Sequence, residues 1–303
     1  MKQFQNGDRV AFLGDSIIGC SRIVAHTTNC YRRLFPERRI HFFNCGAAGG
    51  DAGFGFKVLE EDALACNPTH IVVSFGTNDS RRWCLKDRRH KGRYDLLKEN
   101  YLKFKENLQN LCRAITEKGI KLIICTPLPY DEYGNQESAP LRGGYALLSE
   151  YANLIRQIAK ENNYTLCDIY KGILEEMQED DKIIGPDRLH PGEHGGYVIS
   201  KVFLKNQGID IGEEKPFPPH IVDWHNAVLD FRQLYTAECM LSLGPENPVE
   251  ERLKKAKEIF ENPDTSDWYR SLSGNYLKNK PNQAQILKHL IDLYEKTILE
   301  QEF

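Results

Sequence analysis

Short apolar runs alternate with longer amphipathic stretches through most of the chain. The runs at 10–13, 40–44, 71–75 and 121–126, with a weaker one at 164–168, each end near a Gly, Pro, Asn or Asp and predict buried strands. Between and after them, helical spacing of apolar residues spans 21–35, 56–66, 96–118, 144–162 and 194–206. Strands alternating with helices predict an α/β fold whose parallel central sheet is covered on both faces. In such a sheet the ligand crevice lies beyond the carboxyl ends of the strands. The polar clusters fall there: Gly14-Asp15-Ser16 after the first strand, 44–55 after the second, and Gly76-Thr77-Asn78-Asp79 after the third.

The pattern changes after Gly208. Pro216, Pro218 and Pro219 break it, and beyond them only helical periodicity follows, at 221–243, 248–260 and 283–299. The expected organisation is a catalytic unit over 1–210 and a helical C-terminal extension over 211–303. Trp224, Phe231, Tyr235 and Leu241 would bury one stripe of that extension, as would Trp268 and Tyr269. The stripes would pack on the same chain or form a homodimer interface or a lid.

Composition narrows the function classes. The 303 residues carry 40 basic and 43 acidic side chains, a formal charge of −3, so no global field favours nucleic acid or an anionic membrane. The basic cluster at 86–93 lacks interleaved aromatics and reads as a solvated loop. Nine cysteines without a CxxC pair, several inside apolar runs, suit a reducing compartment, and nothing ahead of the first strand has signal-peptide length. A cytoplasmic protein with no membrane span is the expectation. The histidines show no paired metal-ligand spacing, and His194 reads as a helix-start residue rather than a zinc ligand, so no metal or organic cofactor is expected.

Four segments carry candidate chemistry. Ser16, after a strand and the flexible Gly14, stands where a nucleophile could, although alone it reads equally as a turn or helix cap. Asp187-Arg188-Leu189-His190-Pro191 puts a carboxylate three residues before a histidine. Such a pair can fix the imidazole tautomer and stabilise the imidazolium that serine catalysis forms. Asn78, Gly49 and the N–H of Ser16 could donate to an oxyanion, while an Asx turn and a flexible loop remain the plain readings of the first two.

Together these segments resemble the SGNH (GDSL) hydrolase superfamily. Its blocks occur in order as GDS at 14–16, NCGAAG at 44–49, GTND at 76–79 and DRLHP at 187–191. The resemblance spans about residues 5–208 and implies a flavodoxin-like three-layer α/β/α sandwich. It further implies Ser16 as nucleophile, His190 as base, Asp187 behind it, and Ser16, Gly49 and Asn78 as the oxyanion hole. Loop 46–55 holds several glycines, and a one-residue shift would make Gly50 the donor instead. Asp15, Asp79 and Trp83 are weaker candidates for substrate contact, beside Arg81 and Arg82. The expected activity is a serine esterase cleaving short, acetyl-type esters of a carbohydrate or small metabolite. A thioesterase or lysophospholipase acting on longer chains is the alternative, as is a binding protein with an inactive esterase fold.

Overall fold

Five strands form one sheet: β1 (Arg9–Gly14), β2 (His41–Gly46), β3 (His70–Ser74), β4 (Lys121–Cys125) and β5 (Thr165–Cys167). They lie in the order β2-β1-β3-β4-β5, all parallel, which is the doubly wound flavodoxin-like arrangement. The computed structural model describes residues 1–20, 22–86, 92–192 and 194–300, so most of the basic cluster at 86–93 lies outside the described residues. Register explains why the motifs converge. Gly14 stands opposite Gly46 on one side and Ser74 on the other, so the chain leaves three adjacent strands at one level.

The helices follow the sequence pattern with instructive departures. After β1 come α1 (Ser16–Cys20) and α2 (Ile23–Leu34). After β2 comes α3 (Ala52–Val58), where periodicity predicts a helix over 56–66. The Asp51 carboxylate accepts from Phe54 N–H at 2.8 Å and starts this helix early. The chain then turns after Val58, bringing Glu61 and Asp62 to basic partners far along the sequence. Then α4 (Arg93–Glu117) and α5 (Gly144–Asn162) cover one face. β5 ends at Cys167 because Asp168 caps an additional short helix, α6 (Ile169–Glu176), accepting from Lys171 N–H at 3.1 Å. The last helix of this part is α7 (Gly195–Lys205).

Side chains alternate across the sheet as the period of two demands. Ala11, Leu13, Ile71, Val73 and Ile124 pack beneath α4 and α5. Val10, Phe12, Phe42, Val72 and Ile123 face the other way, in a core that continues without a break through α7 into the C-terminal residues Trp224, Tyr276 and Tyr294.

That C-terminal part is α8 (Pro219–Met240), α9 (Val249–Glu261), α10 (Asp267–Asn279) and α11 (Gln283–Tyr294). Pro219 sits in the first turn of α8, where its missing N–H costs nothing. Trp224, Phe231, Tyr235 and Leu241 are buried as expected and pack within the same chain. Trp268 and Tyr269 are not: they stay 51% and 38% exposed, because α10 turns Leu272 and Tyr276 inward instead. A buried ion pair fastens the extension, with both terminal guanidinium nitrogens of Arg232 2.6 Å from the Asp62 carboxylate. No helix among the described residues is long and apolar enough to cross a membrane.

Candidate active site

Ser16 opens α1 immediately beyond β1, and its Oγ lies 2.8 Å from His190 Nε2. The other ring nitrogen of His190, Nδ1, lies 2.5 Å from Asp187 Oδ2, while Asp187 Oδ1 accepts from the backbone N–H of His190 at 2.9 Å and of Leu189 at 3.1 Å. Partial burial would raise the Asp187 carboxyl, but the hydrogen bonds from His190 and Leu189 outweigh it and hold the group below the usual carboxylate range. An ionised Asp187 keeps a proton on Nδ1 and leaves Nε2 free to accept from the serine. The His190 and Asp187 side chains are 44% and 53% exposed, so an ester can reach the relay from solvent.

The loop after β2 completes a second element. Gly46 touches the nucleophile's helix so closely that a Cβ there would stand 2.2 Å from Gly19 N, a clash no side chain could resolve. Asn44 secures the same contact, donating to Ile18 O and Gly19 O at 3.2 and 3.3 Å while accepting from Gly46 N–H. Beyond it the N–H groups of Ala47, Ala48 and Gly50 donate to Gly14 O, Thr236 Oγ1 and Ala47 O. The Gly49 N–H has no acceptor among the described residues. The two candidate N–H groups thus differ: that of Gly50 is engaged within the loop, and that of Gly49, at φ +80°, is not engaged by any described residue.

Asn78 is positioned by its neighbours. Asp79 accepts from Gly76 N–H and from Ala52 N–H, both at 2.9 Å, closing the turn after β3 against the start of α3. Asn78 Nδ2 donates one hydrogen to Gly50 O at 2.9 Å, which fixes the amide plane and leaves its second hydrogen for another acceptor. The hydroxyl relay can activate an alcohol nucleophile, and an unengaged N–H and an oriented amide are groups of the kind that receive negative charge on oxygen.

Two candidates for substrate contact are corrected. Asp15 and Asp79 are 2% and 7% exposed, and their carboxylates accept from backbone N–H groups instead of facing solvent. Burial, opposed by the Ile17 N–H, pushes Asp15 up to about 6. Burial, aided by the nearby Asp51 charge, pushes Asp79 up to about 8. Between about pH 4, where an unfolded aspartate loses its proton, and pH 8, the folded chain holds a proton that the unfolded chain has released. Stability therefore falls as pH rises through this window, by at most about 1.4 kcal/mol per unit from this group. Asp79→Asn is expected to flatten that slope, as read from urea unfolding at pH 5 and 7.5. Trp83, by contrast, is 47% exposed.

Arg188 and Arg82 gain importance that local sequence does not reveal. Arg188, inside the Asp187–His190 segment, is buried and donates to four backbone carbonyls, those of Ser138, Asp131, Gly134 and Gln136, at 2.6 to 3.1 Å. It locks the segment carrying the base onto the loop after β4. Arg82 is half-buried near Asp187, Tyr130 and Asp15, and its buried Nη1 has no hydrogen-bond partner among the described residues. His194 pairs with Glu214 at 2.5 Å and Asp180 at 3.3 Å, and no group of three or more such side chains among the described residues is arranged to hold a metal ion.

Residues 12–196 match the GDSL-like lipase/acylhydrolase family. An acetylxylan esterase of Geobacillus stearothermophilus is 27% identical over 232 residues, spanning 68% of this chain and 96% of that protein. The solved structure of Axe2, an acetylxylan esterase from Geobacillus stearothermophilus, superposes with a TM-score of 0.58 at 23% identity, covering 71% of this chain and all of its own. Further structures of that enzyme are catalytic mutants at a serine, an aspartate and a histidine, the histidine three positions after the aspartate. A gut microbial diltiazem-metabolizing enzyme superposes with a TM-score of 0.74 at 18% identity, over 98% of this chain and 97% of its own, so its fold includes the C-terminal helices. On the family match across most of the sheet-forming part, the chain belongs to the GDSL-like lipase/acylhydrolase family and is a carboxylic ester hydrolase.

Proposed function

We propose that this protein removes acetyl groups from a carbohydrate through an acyl-enzyme on Ser16. The observation that carries the reading is the hydrogen-bonded chain from Ser16 Oγ through His190 to Asp187, at 2.8 and 2.5 Å. His190 takes the serine proton as Oγ attacks the acetyl carbonyl, and Asp187 stabilises the imidazolium. The oxyanion is received by the N–H groups of Ser16 and Gly49 and by the Asn78 amide. His190 returns the proton to the departing sugar oxygen, and water then releases acetate by the same route in reverse.

Similarity to an acetylxylan esterase across nearly the whole of that protein supports the acetyl and carbohydrate parts of this reading. So do two exposed aromatic rings. Trp83, at 47%, adjoins Arg82, and Tyr133, at 81%, lies in the loop held by Arg188, so both can offer faces to a sugar ring. The nine cysteines, without a CxxC pair, support a reducing, cytoplasmic setting.

The test is acetate release from acetylated xylooligosaccharides, run beside p-nitrophenyl acetate and p-nitrophenyl octanoate. Release of acetate from the sugar, with kcat/KM for the acetate ester at least about tenfold above the octanoate, is the expected result. Preference for the octanoate, or an inert acetylated sugar beside an active octanoate, would replace this reading with a long-chain acylhydrolase.

A further inference from the structure

One face of α8 meets the end of β2 and the loop after it at three successive points. Arg232 Nε donates to Gly46 O at 2.8 Å, and Thr236 Oγ1 accepts from Ala48 N–H at 3.2 Å. Met240 lies against Gly49 so closely that a Cβ on the glycine would stand 2.5 Å from its sulfur. Positions 232, 236 and 240 are spaced by four and form a single stripe on the helix, while 46, 48 and 49 run from the last residue of β2 into the loop. We infer that α8 is a template for the oxyanion loop, with Thr236 and Met240 acting as positioning residues that aim the Gly49 N–H.

The template is itself held rigidly. Arg232 is clamped by Asp62, and its guanidinium lies 4.1 Å from the Tyr235 ring centre. One turn on, the Glu238 carboxylate accepts from Arg252 at 2.7 Å and Tyr276 at 2.8 Å, with Lys280 also at 2.8 Å, tying α8 to the helices that follow it. From the opposite side, Asn44 and Asn78 hold the two ends of the loop. A loop fastened on both flanks has its free N–H direction set in advance of the reaction, which is what charge stabilisation at a developing oxyanion requires. The family match ends at residue 196, so these positions come from outside the shared blocks.

This inference rests on Gly49 as an oxyanion donor in the reading above, and its test separates the two. Thr236→Val keeps the side-chain shape and removes the acceptor of the Ala48 N–H, while Thr236→Ser restores it. Thr236→Val is expected to lower kcat about tenfold with KM within twofold and to weaken phenylboronic acid, a tetrahedral adduct former, by a similar factor. Thr236→Ser should recover most of both. An equal kcat loss in the two variants, or a Val variant with wild-type kcat and boronate affinity, would overturn the template role. If Thr236→Val does not fold, Met240→Ala, which removes no hydrogen bond, should still lower kcat several-fold at constant KM, and an unchanged kcat there would overturn the inference. A wild-type protein inert toward acetyl esters sinks the esterase reading instead.

Discussion

Ser16→Ala is expected to reduce kcat on p-nitrophenyl acetate by about 10⁴- to 10⁶-fold while leaving the unfolding midpoint in urea within experimental error. The hydroxyl's hydrogen bond is to His190, which is itself half exposed, so the fold loses little when it is removed. The reaction loses the atom that forms the acyl-enzyme. Asp187→Asn should cost about 10⁴-fold by a different route: a neutral amide no longer stabilises the imidazolium and can favour the wrong tautomer. Because the two residues act on one step, the double variant should be scarcely worse than Ser16→Ala, a non-additivity that random damage to the site would not produce. Residual turnover within tenfold of wild type in Ser16→Ala would remove the serine from the mechanism.

Arg232→Leu is expected to destabilise the protein by about 3 to 5 kcal/mol, the usual cost of leaving one partner of a buried ion pair alone. Asp62 is 3% exposed and its carboxylate is held by both terminal guanidinium nitrogens. The Leu variant also loses the donor to Gly46 O and the stacking over Tyr235. Combining it with Asp62→Leu should recover a large part of the loss, since the stranded charge disappears with its partner. Urea unfolding of the two single variants and the double closes this cycle. Equal stability of wild type and Arg232→Leu would show that the pair contributes nothing to the docking of α8.

Much of this architecture was readable from residue order. Strand runs placed Ser16, Gly49 and Asn78 beyond three strands, and a parallel sheet brings such ends together whatever the intervening sequence. α5 begins and ends where its periodicity does. The departures from expectation depend on backbone partners or on side chains distant along the chain. Asp15 and Asp79 look like site carboxylates because they border the motifs, yet each is consumed by backbone N–H groups that periodicity does not describe. The helix expected over 56–66 ends at Val58, and beyond that turn Asp62 meets Arg232, 170 residues away. Arg188 and Thr236 act through backbone carbonyls and N–H groups, and such contacts leave no pattern in side-chain polarity.

In the order β2-β1-β3-β4-β5, β2 lies at the margin of the sheet, where a bare strand would offer unpaired backbone to any neighbouring chain. Here Phe42, Phe43, Asn44 and Cys45 line a small pocket together with Trp224 and Val228 of α8 and Leu290 of α11. Tyr294 donates to Ile40 O just ahead of the strand, and Arg232 donates to Gly46 O at its far end. The C-terminal helices thus serve as an edge guard. Ending the chain near residue 210 would not yield a smaller esterase: it would uncover an apolar, strand-shaped margin, and self-association would be the dominant fate of the shortened protein.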